Sequence, residues 1–261
     1  MYHDERILLT DDEAKISYSV VGEYSNPTIL MIHGWASDRS TYDNLIPELS
    51  KNFRLIIPDL RGFGKSEKKP PFVTHRMVKD MILLYKAENA KIILGHSWGG
   101  LIAQELSAVL DPRATILVST FAKWSRPFSG WFFKLLLPII ERMDIDAFVN
   151  TMLEVAYRTR NKDMERSLKE MLRNLDMNVL KESGIDILEF DSTPELSLIK
   201  SPALIVHGDR DHIVPLEHAF YLNDNIKNSE IVVIPRVGHN LPDIKPKLLS
   251  SLITGWVLSS I

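Results

Sequence analysis

The sequence predicts an α/β fold: a mostly parallel eight-stranded sheet, helices on both faces, and a helical cap inserted after the sixth strand. Three observations point to it. Six short apolar runs lack the polar alternation of half-exposed strands, so they read as strands buried on both faces. Segments of helical period lie between them. The alternation then breaks once, between Thr120 and Ser201, over roughly 80 residues, longer than any ordinary crossover.

The elements follow in chain order. Residues 6–9 and 15–21 are β-rich and separated by Asp11-Asp12, as in an antiparallel hairpin. The buried strands are then expected at 28–32, 54–57, 91–94, 115–118, 203–206 and 231–234. Val78, Met81, Ile82 and Tyr85 have the spacing of one buried helix face, and Leu249, Leu252, Ile253 and Trp256 repeat it. A further helix is expected from Gly100 to Leu110. Strand–helix alternation implies right-handed crossovers and a doubly wound sheet. Leu168, Met171, Leu172 and Leu175 give the interrupting block a helical period. The domain reading is therefore a core of residues 1–120 and 197–261 with a cap at 121–196. The start of that cap, from Phe121 and Trp124 to Phe133, is rich in aromatic residues. They suit packing between cap and core, with a few lining an apolar pocket.

Composition removes several function classes. With 34 acidic and 31 basic residues the formal charge is −3, leaving no basic surplus for nucleic acid or anionic lipid. There is no cysteine, hence no disulfide, thiolate metal site or cysteine nucleophile. The first residues are charged and read as no secretory signal. The longest apolar stretch, 128–140, holds Lys134 and Pro138 and is too short for a membrane span. A soluble cytoplasmic protein is expected.

The chemistry centres on Gly95-His96-Ser97-Trp98-Gly99, between an expected strand and an expected helix. A G-x-S-x-G stretch in that context is a sharp turn that lifts the serine hydroxyl clear of the sheet. Its glycines let strand and helix crowd together, and the helix N-terminus favours developing negative charge. A serine hydroxyl needs a base, and the base needs an orienting carboxylate. Ligand-facing loops of open α/β sheets lie at the carboxyl ends of strands. Two later loops qualify: His207-Gly208-Asp209-Arg210-Asp211-His212-Ile213-Val214-Pro215, and Arg236-Val237-Gly238-His239-Asn240. Asp209 and Asp211 are both available as the acid. His207, His212 and His218 form no recognisable metal-ligand pattern, and no metal or cofactor is expected. The segment Asp59-Leu60-Arg61-Gly62-Phe63-Gly64-Lys65-Ser66 lacks G-x-G-x-x-G, so it reads as a structural loop braced by Asp59 and Arg61.

Taken with His33-Gly34-Trp35, these motifs, in this order, resemble the α/β-hydrolase superfamily over essentially the whole chain outside the cap. Within it the chain is similar to small capped carboxylesterases, including the pimeloyl-carrier methyl esterase type, and to carbon–carbon-bond hydrolases. The resemblance implies Ser97 as nucleophile, His239 as general base and Asp211 as orienting acid, with Asp209 bracing the loop. It implies an oxyanion hole from the backbone N–H groups of Trp35 and Trp98, whose indoles are expected to wall the pocket. His96 is expected to point along the elbow away from the partner of Ser97, and either to pack or to support the site from behind. The implied activity is cleavage of small or medium acyl esters. Carbon–carbon, amide and thioester substrates, or ligand sensing without turnover, stay open as alternatives.

Overall fold

A computed structural model of the protein describes residues 4–124, 145–152, 169–172 and 174–260. Strands β1 (Asp4–Leu9), β2 (Lys15–Val21), β3 (Thr28–Ile32), β4 (Arg54–Pro58), β5 (Ile92–His96), β6 (Ala114–Val118), β7 (Ala203–Gly208) and β8 (Ser229–Ile234) form one eight-stranded sheet. Its order is β1-β2-β4-β3-β5-β6-β7-β8. The β1–β2 hairpin and the β2–β4 pair are antiparallel; every later pair is parallel. All eight expected strands are present, with ends shifted by a residue or two.

The helices are α1 (Ile46–Leu49), α2 (Thr74–Ala87), α3 (Trp98–Leu110), α4 (Ile145–Met152), α5 (Met177–Glu189), α6 (Thr193–Leu196), α7 (Glu217–Asn225), α8 (Leu241–Ile244) and α9 (Pro246–Ser260). The continuous apolar strands have a direct physical cause. Leu30, Ile32, Ile93 and Leu117 join one buried cluster with Met77, Met81 and Leu84 of α2 and Leu101, Ile102 and Leu106 of α3. Their neighbours Ile29, Met31, Leu94 and Ile116 join a second cluster with Leu49 of α1 and Leu249, Ile253 and Val257 of α9. Alternate residues thus face opposite cores, and neither face can be polar. Burying each such side chain contributes about 1.5–3 kcal/mol, so truncation in either layer is costly.

The insert between β6 and β7 carries α4, α5 and α6. Its two ends meet. Lys123 and Asp191 form an isolated bridge and an ion pair, and Ser192 N donates to Ala122 O at 3.0 Å. Gln104 of α3 clasps both ends, accepting from Ser192 Oγ at 2.7 Å and donating to Phe121 O at 2.9 Å. Of the predicted helical face, 169–172 is helical, whereas Leu175 lies past its end and still packs against the core. Leu168 and the aromatic stretch 125–133 lie outside the described residues. Among the described residues no helix is long and apolar enough to cross a membrane.

Candidate active site

The turn between β5 and α3 is strained in the way its glycines allow. Ser97 has φ 53° and ψ −122°, a region L-residues rarely occupy. Two close approaches and two hydrogen bonds hold it there. A Cβ on Gly95 would lie 2.3 Å from Gly99 O, and one on Gly99 would lie 2.1 Å from Ile32 O. Ser97 N donates to Val118 O at 2.9 Å, and Ser97 O accepts from Thr120 Oγ1 at 2.6 Å. The serine is therefore fixed by backbone packing on both sides.

The loops after β7 and β8 bring the other two residues to it. His239 Nε2 lies 2.9 Å from Ser97 Oγ, and His239 Nδ1 lies 2.8 Å from Asp211 Oδ2. A carboxylate only accepts, so Nδ1 carries the proton and Nε2 is left to accept from the serine hydroxyl. The other oxygen, Asp211 Oδ1, accepts from Ile213 N at 3.0 Å and Val214 N at 2.8 Å. Burial pushes the Asp211 carboxyl up, but the charge and hydrogen bond of His239, with His207 and the Val214 N–H, hold it below the ordinary carboxylate value. Asp209 stands apart from this chain and accepts from Arg236 N at 2.5 Å, which braces the two loops against each other.

Two further imidazoles surround the group. His96 takes the supporting place rather than turning away from His239: its Nε2–H donates to the main-chain oxygen of His239 at 3.1 Å, and the rings lie 5.2 Å apart. Burial first, then the neighbouring His239, push His96 down to about 3, so it stays neutral. His207 Nε2–H donates to Val214 O at 2.8 Å and lies 3.4 Å from Asp211 Oδ2. Sequence reasoning weighed His207 only as a metal ligand; its contact with the acid had no local signal. Burial also lowers His33, whose Nε2 accepts from Leu60 N at 2.9 Å and whose Nδ1–H donates to Gly34 O at 2.8 Å.

Trp98 is the first residue of α3, and among the described residues its backbone N–H donates to no protein acceptor. Gly34, the residue before Trp35, packs against Ser97, since a Cβ there would sit 3.1 Å from Ser97 Cβ. The indoles differ from expectation. Trp98 is 1% exposed and packs edge-on against Phe63, so its ring belongs to the core and walls no open cleft. Trp35 is half-buried and reaches the insert.

The glycine-rich loop is structural, as its residues suggested. Asp59 accepts from Arg39 N and Lys65 N, both at 2.8 Å, and from the Arg39 guanidinium. Fully buried Arg61 pairs with Asp80 at 2.7 Å and Asp12 at 2.8 Å. Asp11, Asp12 and Asp80 cluster closely enough for a cation, but Arg61 and Arg76 already neutralise them.

Comparison with known proteins agrees with this architecture. Residues 27–246 match the family described as alpha/beta hydrolase fold. The chain is 30% identical to the AB hydrolase superfamily protein YisY of Bacillus subtilis over 86% of this chain and 89% of the relative. It is 28% identical to the pimeloyl-[acyl-carrier protein] methyl ester esterase of Pectobacterium carotovorum, over 82% and 88%. Among solved structures, an esterase from Exiguobacterium antarcticum superposes with a TM-score of 0.90 at 20% identity, covering 97% of this chain and 99% of that one.

Proposed function

Because the chain belongs to the alpha/beta hydrolase fold family, we propose that it is a serine carboxylesterase acting on small or medium acyl esters. The observation that carries the reading is the continuous hydrogen-bonded line Asp211–His239–Ser97 at the strained turn. Ser97 Oγ attacks the ester carbonyl carbon while His239 Nε2 takes its proton. The carbonyl oxygen becomes an oxyanion held by the backbone N–H groups of Trp35 and Trp98, each such donor contributing about 3 kcal/mol of transition-state stabilisation. His239 then protonates the departing alcohol. Water, deprotonated by His239, hydrolyses the acyl-enzyme and frees Ser97. Asp211 stays ionised and stabilises the imidazolium. These steps use only side chains, backbone and water.

The methyl ester named for the Pectobacterium relative supports an ester over a carbon–carbon substrate. The insert, as a cap over Ser97, selects the acyl group. The test is a p-nitrophenyl ester chain-length series, run beside diketones and peptides. Turnover of the esters, lost in Ser97→Ala together with fluorophosphonate labelling, is expected. Labelling that persists in Ser97→Ala overturns the nucleophile, and turnover confined to diketones or peptides overturns the bond assigned.

A further inference from the structure

The two residues assigned to the oxyanion hole both carry an indole N–H, and both indoles are tied to one helix of the insert. Trp35 Nε1–H donates to Ser183 Oγ at 3.0 Å. Trp98 Nε1–H donates to Thr74 Oγ1 at 2.9 Å, and Thr74 Oγ1–H donates onward to Asp186 Oδ2. An indole nitrogen only donates, so the Thr74 oxygen must accept from it and send its own proton to the carboxylate. Ser183 and Asp186 stand three residues apart on α5 and share a face. Trp98, Thr74 and Ser183 are all buried, so water offers none of them an alternative partner.

The same helix closes the N-terminus of α2. Val73 supplies no cap there. Instead Asp186 Oδ2 accepts from Thr74 N at 2.7 Å, and Glu182 Oε1 accepts from Phe72 N at 2.8 Å. Val179 of α5 occupies the space beside Gly62, its Cγ1 2.8 Å from where a Cβ would stand. α5 is thus docked on the core by packing and by four hydrogen bonds to main chain and side chains.

We propose that α5 positions the oxyanion hole: Ser183, and Asp186 through Thr74, hold Trp35 and Trp98 so that both backbone N–H groups converge on the oxyanion. This rests on the serine-esterase reading above. Ser183, Thr74 and Asp186 touch no reacting atom; they are positioning residues. A misplacement of an ångström is enough to cost a large part of the rate at such a site. Catalytic competence therefore requires the insert to be seated, and an enzyme with α5 displaced binds ester but turns it over slowly.

The experiment measures kcat and KM on p-nitrophenyl acetate and the inhibition constant of a trifluoromethyl ketone, which forms a tetrahedral adduct on the serine. Thr74→Val and Ser183→Ala are each expected to lower kcat by about tenfold with KM nearly unchanged, and to weaken the ketone by a similar factor. Thr74→Ser and Ser183→Thr, which keep the hydroxyl, are expected to restore both. Thermal midpoints identify any variant that is merely unfolded; Trp35→Phe, which removes the indole N–H together with part of the ring, replaces Ser183→Ala in that event. Changes confined to KM, wild-type kcat in Thr74→Val and Ser183→Ala, or equal losses with and without the hydroxyl overturn the proposal. If Ser97→Ala retains turnover, the esterase reading itself fails; if Ser97→Ala is inactive while the positioning variants are unaffected, only the role of α5 fails.

Discussion

Asp209 and Asp211 are two residues apart and chemically identical, yet their surroundings assign them different work. Asp211 is buried, bonded to His239 and held charged. Asp209 accepts a main-chain N–H across two loops. Asp211→Asn is expected to lower kcat by about 10⁴-fold, because an amide there favours the wrong imidazole tautomer. Asp209→Asn is expected to leave kcat within a few-fold and to lower the thermal midpoint slightly. Steady-state kinetics on the two variants check the contrast; equal losses would remove the distinction between them. The sequence already contained Ser97, His239 and both aspartates in strand-end loops, which is why these residues could be picked out. The contacts of His207 and Thr74 were hidden, because each depends on a partner brought in by another loop or element.

At the level of elements, the contact between α3 and α6 carries an avoidable cost. Burial, then the charge of Glu195 and a hydrogen bond with it, raise the Glu105 carboxyl to about 7. For an acid whose folded pKa is raised, the penalty is full above the folded value and vanishes below the unfolded one near 4.5. Glu105→Gln removes the charge and supplies an N–H donor. It is expected to stabilise by about 1 kcal/mol at pH 8, after allowance for solvent screening, raising the melting temperature by about 3 °C. At pH 4.5 the gain should disappear, and a gain of equal size there would contradict the assignment. The strands were legible because residues such as Ile29 and Leu30 face two different cores, which demands an unbroken apolar run. The placement of β4 between β2 and β3 was not legible, since apolar runs carry no record of their neighbours. Nor was the docking of α5, whose bonds join residues such as Thr74 and Asp186 across 112 positions.

For the whole molecule, pH acts through three imidazoles kept neutral inside the fold: His33, His96 and His207, each lowered chiefly by burial. Once unfolded they take up protons near the ordinary value of about 6.5. The unfolded chain therefore binds more protons below that pH, and stability falls with acidification by up to about 1.4 kcal/mol per pH unit per group. Glu105 and Asp243, raised to about 7 and about 6 by burial, act in the opposite direction. They are more exposed to water than the histidines, so the histidines prevail. Urea titrations should show the unfolding midpoint falling between pH 6.5 and 4.5, with a shallower fall in His96→Gln. From His96 alone the loss between pH 6.5 and 5 is about 1.5 kcal/mol. A midpoint that rises over this range would show that the carboxyl pair outweighs the imidazoles.

The fastening of α5 also bears on engineering by recombination. On the proposed esterase reading, transplanting a foreign insert between β6 and β7 is a route to new acyl preferences, since the two ends meet at Gln104 and form a natural splice point. Such a chimaera would lose the acceptors of Trp35 and Thr74 and the caps of α2. A donor segment should therefore be chosen for a hydroxyl and a carboxylate one helical turn apart before it is chosen for the shape of its cavity.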